Sequence, residues 1–332
     1  MTEEQALMPQ WWFRFWNNFV TKQEESDTNS EDTELVTAMI TPFKEDESID
    51  FTALKKLARH LIYTGSDAIL VGGSTGEEPN LDEEEKWDVL ACVKKVIRQE
   101  KSNTKVWVGT GSSSTRRTIE ETKKALANGA DVALIVVPPY NKPDKDGLLI
   151  HYGSVAKEVP EMPIIMYNIP SRTGILMETD VIAELANKYP NIVGVKQSFG
   201  DMNKVTEMIA QTPKNFVVYS GDDSLTLPML SLGAKGVVSV ASHIAGCELK
   251  QMIRAFKEGN LHQAQDIHQM LYPLTKALFI TSNPVPVKEI LSQNGMISSN
   301  MVRAPLATMN DTKKKEMAQY LKTYANFKSN QR

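Results

Sequence analysis

"NIVGVKQS", residues 191–198, runs an apolar stretch into a lysine. Ile192-Val193-Gly194-Val195 has no polar side chain, so the strand it predicts is buried on both faces, as in a parallel sheet covered by helices. Side chains alternate along a strand, which puts Ile192, Gly194 and Lys196 on one face and Val193 and Val195 on the other, helix-facing side. A buried ammonium is costly unless it is paired, neutralised or used. Lys196 therefore needs a reason, and the rest of the chain supplies the context.

Runs of the same kind recur at 35–40, 68–71, 105–108, 132–137, 163–167, 216–220 and 236–240, which with 192–196 makes eight predicted strands. Amphipathic stretches such as 82–99, 115–128 and 179–188 fill the gaps. Eight strand–helix repeats between residues 35 and 245 predict an α/β fold of the closed (β/α)8 type, a TIM barrel. An open doubly wound sheet is the alternative. After Ala245 the pattern turns helical, with "NPVPVKEIL" (283–291) a Pro-punctuated loop entering a helix. Residues 246–332 are expected to form the last barrel helix and a C-terminal helical extension. Residues 1–34 differ in kind, with an acidic opening, an aromatic group (Trp11, Trp12, Phe13, Phe15, Trp16, Phe19) and an acidic-polar tract. They fit neither a signal peptide nor a transit peptide. The composition of 24–34 is that of disorder, so an appended tail without a catalytic role is expected, or else an aromatic docking element.

Composition excludes several classes. With 41% hydrophobic and 23% charged residues and a net charge of -4, the chain is ordinary for a globular protein and has no basic footprint for nucleic acid or anionic membrane. Its two cysteines, Cys92 and Cys247, cannot build a disulfide framework or a thiolate zinc site, and fit a reducing, cytoplasmic setting. No apolar run reaches the roughly 20 residues needed to span a bilayer.

Chemistry in such barrels sits at the C-terminal ends of the strands, and the polar irregularities gather there: "GGSTGEE" (72–78), "PPYNKP" (138–143), "YNIPSRTG" (167–174), Lys196, "SGDD" (220–223) and "SVASH" (239–243). Lys196 is expected to point into the barrel. Burial favours the neutral amine, and a neutral amine attacks carbonyl carbon; a structural ion pair with a buried acid is the alternative. Tyr167 shares a face with Pro163 and Ile165 and ends its strand as Lys196 ends the next, about 4.8 Å away. Its phenol can then shuttle the protons of Schiff-base formation, unless it is only bonded to backbone. The 72–78 loop offers curled backbone N–H groups and the hydroxyls of Ser74 and Thr75 to a small anion, without the lysine of a phosphate-binding loop. Arg172, just past strand 5, has the planar fork for a carboxylate, or forms a surface salt bridge. The histidines (His60, His151, His243, His262, His268) show no metal-ligand spacing, and Asp222 and Asp223 read as caps.

"YNIPSRTG", "GVK" and "SGDDSLTLPMLSLGAKGVVSV" together resemble the dihydrodipicolinate synthase / N-acetylneuraminate lyase family of class I aldolases, from about residue 35 to at least 288. Within it the "SRTG" arginine is similar to the synthase branch and is missing from the sialic acid lyases. The resemblance implies that Lys196 forms an imine with pyruvate, with no separate cofactor. The derived enamine would attack L-aspartate-4-semialdehyde, giving 4-hydroxy-tetrahydrodipicolinate on the route to diaminopimelate and lysine. It implies a proton relay of Ser74, Tyr167 and Tyr140, the last reaching in from a neighbouring subunit of a dimer or tetramer. It implies that Ser74 and Thr75 hold the pyruvate carboxylate, Arg172 that of the semialdehyde, and that Gly194 and Val238 line the pyruvate pocket. Departures from the family pattern are Ser74 for threonine, Gln197 for glutamate and His243 for asparagine. At the family's lysine feedback site, Glu78-Pro79 replaces Ser-Ala, Glu83 and Lys86 replace histidines, Ser113 an asparagine, Arg117 a glutamate and Pro139 a tyrosine. A ligand ammonium would meet Arg117, so insensitivity to L-lysine is expected. A pyruvate-dependent aldolase for a sugar acid or hydroxy-oxo acid is the same-fold rival, and a non-catalytic binding barrel the rival of another class.

Overall fold

The computed structural model describes residues 33–330. The expected tail and its aromatic group lie outside the described residues, apart from Thr33 and Glu34. Those two belong to the body rather than to a tail: both are buried, and the Glu34 backbone N–H donates to Asp67 Oδ2 at 2.9 Å while its carbonyl accepts from Val237 N–H at 2.8 Å.

Eight strands close into one parallel barrel in chain order, β1 (Leu35–Ala38), β2 (Ala68–Val71), β3 (Lys105–Gly109), β4 (Val132–Val136), β5 (Ile164–Asn168), β6 (Ile192–Gln197), β7 (Val217–Ser220) and β8 (Gly236–Ser239), with β8 paired back to β1. This is the expected (β/α)8 barrel, not an open sheet. The helices are α1 (Phe51–Tyr63), α2 (Glu83–Gln99), α3 (Thr115–Ala127), α4 (Lys145–Glu158), α5 (Pro170–Thr173), α6 (Thr179–Lys188), α7 (Met202–Gln211), α8 (Thr226–Ser231), α9 (Ser242–Lys257), α10 (Leu261–Leu278), α11 (Val285–Gln293) and α12 (Asp311–Asn330). The 245/246 boundary read from the sequence falls inside α9, at Ala245, whose φ of -132° interrupts the helix. Helices α10 to α12 form the C-terminal extension. Among the described residues no helix is long and apolar enough to cross a membrane.

Alternation along the strands sorts the apolar side chains into two layers. Val36, Leu70, Trp107, Leu134, Ile165, Tyr219 and Val238 fill the tube, where Trp107 and Tyr219 meet edge to face at 5.3 Å. Leu35, Ile69, Val108, Ile135, Met166 and Val195 face outward against the helices. Each such buried side chain contributes ~1.5–3 kcal/mol. The alternation slips once. In the β5–β6 pairing Ile164 faces Ile192 but Ile165 faces Gly194, so Val193 is an extra residue, a β-bulge. Ile192 consequently packs in the outer layer and Val193 leans on the interior cluster, opposite to the simple alternating expectation. Beyond the bulge the parity is restored, and Gly194 and Lys196 point inward.

Candidate active site

The strands' C-terminal ends open into a cavity of about 520 Å³ whose wall includes Ser74, Thr75, Tyr167, Arg172, Lys196 and Val238. The register sets Lys196 between Tyr167 of β5 and Tyr219 of β7. Lys196 is only 6% exposed, and its Nζ stands 4.1 Å from the centroid of the Tyr167 ring. Among the described residues it has no ion-pair partner and no hydrogen-bonded one, so the structural ion pair considered above is not what holds it. Gly221, following β7, makes room for the amine stem: a Cβ there would lie 1.9 Å from Ser198 Oγ and 3.0 Å from Lys196 Cε.

Residues Ser74–Gly76 form a 3₁₀ turn at the end of β2. Internal bonds use the N–H groups of Gly76, Glu77 and Glu78, which leaves Ser74 and Thr75 N–H, the first of the turn, without partners inside it. Thr75 is buried, and its Oγ1 accepts from Asn283 Nδ2 at 2.9 Å. Arg172 lies on α5 at the exposed mouth, with its guanidinium 3.4 Å from the Asn283 carbonyl. Val238 lines the wall from β8.

Two expected residues lie elsewhere. Tyr140 is outside the cavity, 92% exposed, on a left-handed backbone turn with φ of 70°. Gly194 is not among the lining residues: a Cβ there would come within 2.4 Å of the Val217 carbonyl oxygen and 2.8 Å of Ile165 Cδ1, so its space is filled by the barrel interior itself.

The polar groups around this floor are mostly spoken for. Asp223 is fully buried, and its carboxylate accepts from Ser239 Oγ (2.5 Å) and from Val240 and Ala241 N–H (both 3.0 Å). Burial pushes its carboxyl above the usual range. Asp222 caps the next turn through Ser224 N–H at 2.8 Å, as read from sequence; Asp223 is no cap but ties the end of β7 to that of β8. His243 donates from Nδ1 to the Val240 carbonyl and accepts at Nε2 from Ile40 N–H, so its ring is neutral, and burial holds its pKa down at about 4. Gln197 Oε1 and Ser198 Oγ are buried and have no hydrogen-bond partner among the described residues. Among the described residues no three His, Cys, Asp or Glu side chains are grouped to hold a metal ion. Lys86 is buried beneath the loop, with its ammonium bonded to Glu121 and 3.4 Å from Glu78.

Sequence reading passed over Asn283, Phe279 and Ser198, which also line the cavity. Ser198 had a signal, since it is two residues past Lys196 and on the same face. Asn283 and Phe279 come from the C-terminal extension and had none.

A model of the Dihydrodipicolinate synthetase family matches residues 31–324. The chain belongs to that family. Relatives within the dihydrodipicolinate synthetase family include the 4-hydroxy-tetrahydrodipicolinate synthase of Desulforamulus reducens, 46% identical over 82% of this chain and 90% of the relative. That of Thermosynechococcus vestitus is 46% identical over 83% and 92%. Among solved structures, DHDPS from Cyanidioschyzon merolae with lysine bound superposes with a TM-score of 0.85 at 39% identity, covering 89% of this chain and 99% of that one. Dihydrodipicolinate synthase from Aquifex aeolicus gives 0.84 at 43% identity, covering 88% and 98%.

Proposed function

We infer that this protein is a 4-hydroxy-tetrahydrodipicolinate synthase, a lyase of class I aldolase type. The observation that carries the reading is Lys196, a buried amine without a carboxylate partner among the described residues, on the cavity floor against the Tyr167 ring. In this reading the amine attacks the ketone carbon of pyruvate, and the carbinolamine loses water to give an imine. Loss of a C3 proton makes the enamine, whose C3 bonds to the aldehyde carbon of L-aspartate-4-semialdehyde. The adduct's own amine then displaces Lys196 from the imine carbon, closing the ring. One water leaves per turnover, and the lysine is regenerated, so no further cofactor is required. Tyr167 and Ser74 carry the protons. Ser74, Thr75 and their N–H groups receive the pyruvate carboxylate, with Val238 of β8 lining the same pocket. Arg172 receives the semialdehyde carboxylate at the mouth.

Tyr140 completes the relay from a neighbouring subunit, a role supported by its 92% exposure on one chain. We therefore take the working unit to be a homo-oligomer, in the cytoplasm. Insensitivity to L-lysine is part of the same reading. Two cations, Lys86 and Arg117, stand at positions of the family's feedback site, and Lys86 already engages the carboxylates of Glu121 and Glu78. Steady-state rates are expected to be unchanged in millimolar L-lysine, and inhibition there would refute this part.

The deciding experiment combines a coupled assay with pyruvate and L-aspartate-4-semialdehyde, run beside other aldehydes, with borohydride trapping. The expected result is turnover of the semialdehyde and a pyruvate-derived mass on the Lys196 peptide. Trapping with preference for a sugar-derived aldehyde would move the assignment to another pyruvate aldolase. Absence of trapping would end it.

A further inference from the structure

The residues that flank the carboxylate-receiving turn are held from outside the barrel. Glu77 directly follows Ser74–Gly76, and its backbone is left-handed, with φ of 56°. That conformation is unfavourable for a residue with a Cβ. The surroundings are explicit. The Glu77 side chain is wholly buried and ion-paired with Lys288 of α11, also wholly buried. Lys288 Nζ donates as well to the Met301 carbonyl at 2.9 Å. Glu77 Oε2 accepts from the Arg303 backbone N–H at 3.0 Å. The Phe43 ring lies against both cations, with its centroid 4.0 Å from Lys288 Nζ and 4.4 Å from Arg303 Cζ.

Five residues before Lys288, on the same segment, Asn283 grips the other side of the turn by donating to Thr75 Oγ1 at 2.9 Å. The segment thus touches residues 75 and 77, on either side of Gly76. From the opposite side Thr41 Oγ1 donates to the Gly76 carbonyl at 2.8 Å. A buried ion pair is a poor source of net stability, because desolvation offsets the attraction; replacing both partners by neutral groups of like shape is often tolerated. What the pair does supply is a fixed geometry.

We propose that segment 283–288 of the C-terminal extension positions the pyruvate-binding turn, with Lys288 acting through Glu77 and Asn283 acting through Thr75. This rests on the reading above that the turn receives the pyruvate carboxylate. The extension is then part of the site, and these three are positioning residues: they set where the turn's N–H groups and hydroxyls point, without touching the reacting atoms.

The test uses the full chain and two variants, Glu77→Gln/Lys288→Met, which removes both charges while keeping shape, and Asn283→Ala at a half-buried site. The readouts are melting temperature, kinetics, and the pyruvate concentration giving half-maximal borohydride trapping on Lys196. Each variant is expected to need about tenfold more pyruvate, in trapping and in KM, with a smaller change in the semialdehyde KM. The double variant is expected to melt within a few degrees of the parent. Trapping at parental pyruvate concentrations in Asn283→Ala or in the folded double variant overturns the proposal. If the parent protein itself is not trapped, it is the functional reading that has failed, and the positioning role falls with it.

Discussion

Gly221 carries no side chain, and the amine depends on that. A methyl group at 221 would occupy the space of Ser198 Oγ and press on Lys196 Cε. Ser198 is fixed at its backbone, donating from N–H to the Asn168 carbonyl at 2.9 Å, while Gly221 N–H donates to the Gln197 carbonyl at 2.8 Å. Neither strand end can easily retreat, so the added methyl presses on the Ser198 side chain and on the lysine stem. Gly221→Ala is expected to lower kcat by about 10–100-fold through a misplaced nucleophile, with pyruvate trapping slowed in parallel and melting changed little. A variant of parental kcat would show that the amine tolerates the shift. On the reading proposed above, Arg172 serves one of the two substrates only. Arg172→Ala is expected to keep pyruvate trapping and to raise the semialdehyde KM by at least about tenfold, the loss of a charge-assisted pair; unchanged semialdehyde kinetics would remove Arg172 from substrate binding. Both residues act at the mouth side of Lys196, where side-chain parity was readable from "VKQS". Gly194 was not readable in the same way. Its missing Cβ is filled by Ile165 and the Val217 carbonyl, a packing fact that depends on partners on two other strands.

At the scale of elements, helix starts were the most legible feature. The stretches 82–99, 115–128 and 179–188 were read as the helices α2, α3 and α6 that they form, and Asp82 and Ser114 cap the first two. Asp50 does more than cap. Its Oδ1 accepts from Thr52 and Ala53 N–H at 3.0 and 2.9 Å, and its Oδ2 from Ser298 Oγ at 2.7 Å, joining α1 to the extension. Asp50→Ala is expected to cost about 1–2 kcal/mol in urea unfolding; a change within about 0.5 kcal/mol would mean that neither bond matters in solution. The start of β6 was misread because an extra residue in one strand leaves no mark in composition. Ile, Val and Gly suit either face, so only the pairing with β5 reveals the bulge at Val193.

For the whole molecule, buried neutral histidines set the acid limit. His243 and His151 are both held at about 4 by burial, below the ordinary 6.5. The unfolded chain therefore binds more protons than the folded one between about pH 6.5 and 4, and stability falls as pH drops through that window. His243→Asn is expected to flatten the fall by up to ~2 kcal/mol between pH 7 and 5, seen as a smaller loss of melting temperature over that range; an unaltered slope would shift the burden to His151 and His60. The barrel was legible in the sequence because eight short apolar runs each carry their own period. The Glu77–Lys288 pair was not. Its members are 211 positions apart, and each alone reads as a solvated charge.

That separation has a bearing on synthesis. A nascent chain that has emerged only as far as β8 carries the nucleophile, its phenol and every strand of the tube, yet the turn after β2 still lacks the two grips supplied by Asn283 and Lys288. On the positioning role proposed above, full affinity for the keto acid follows synthesis of residues 283–288 and not closure of the barrel.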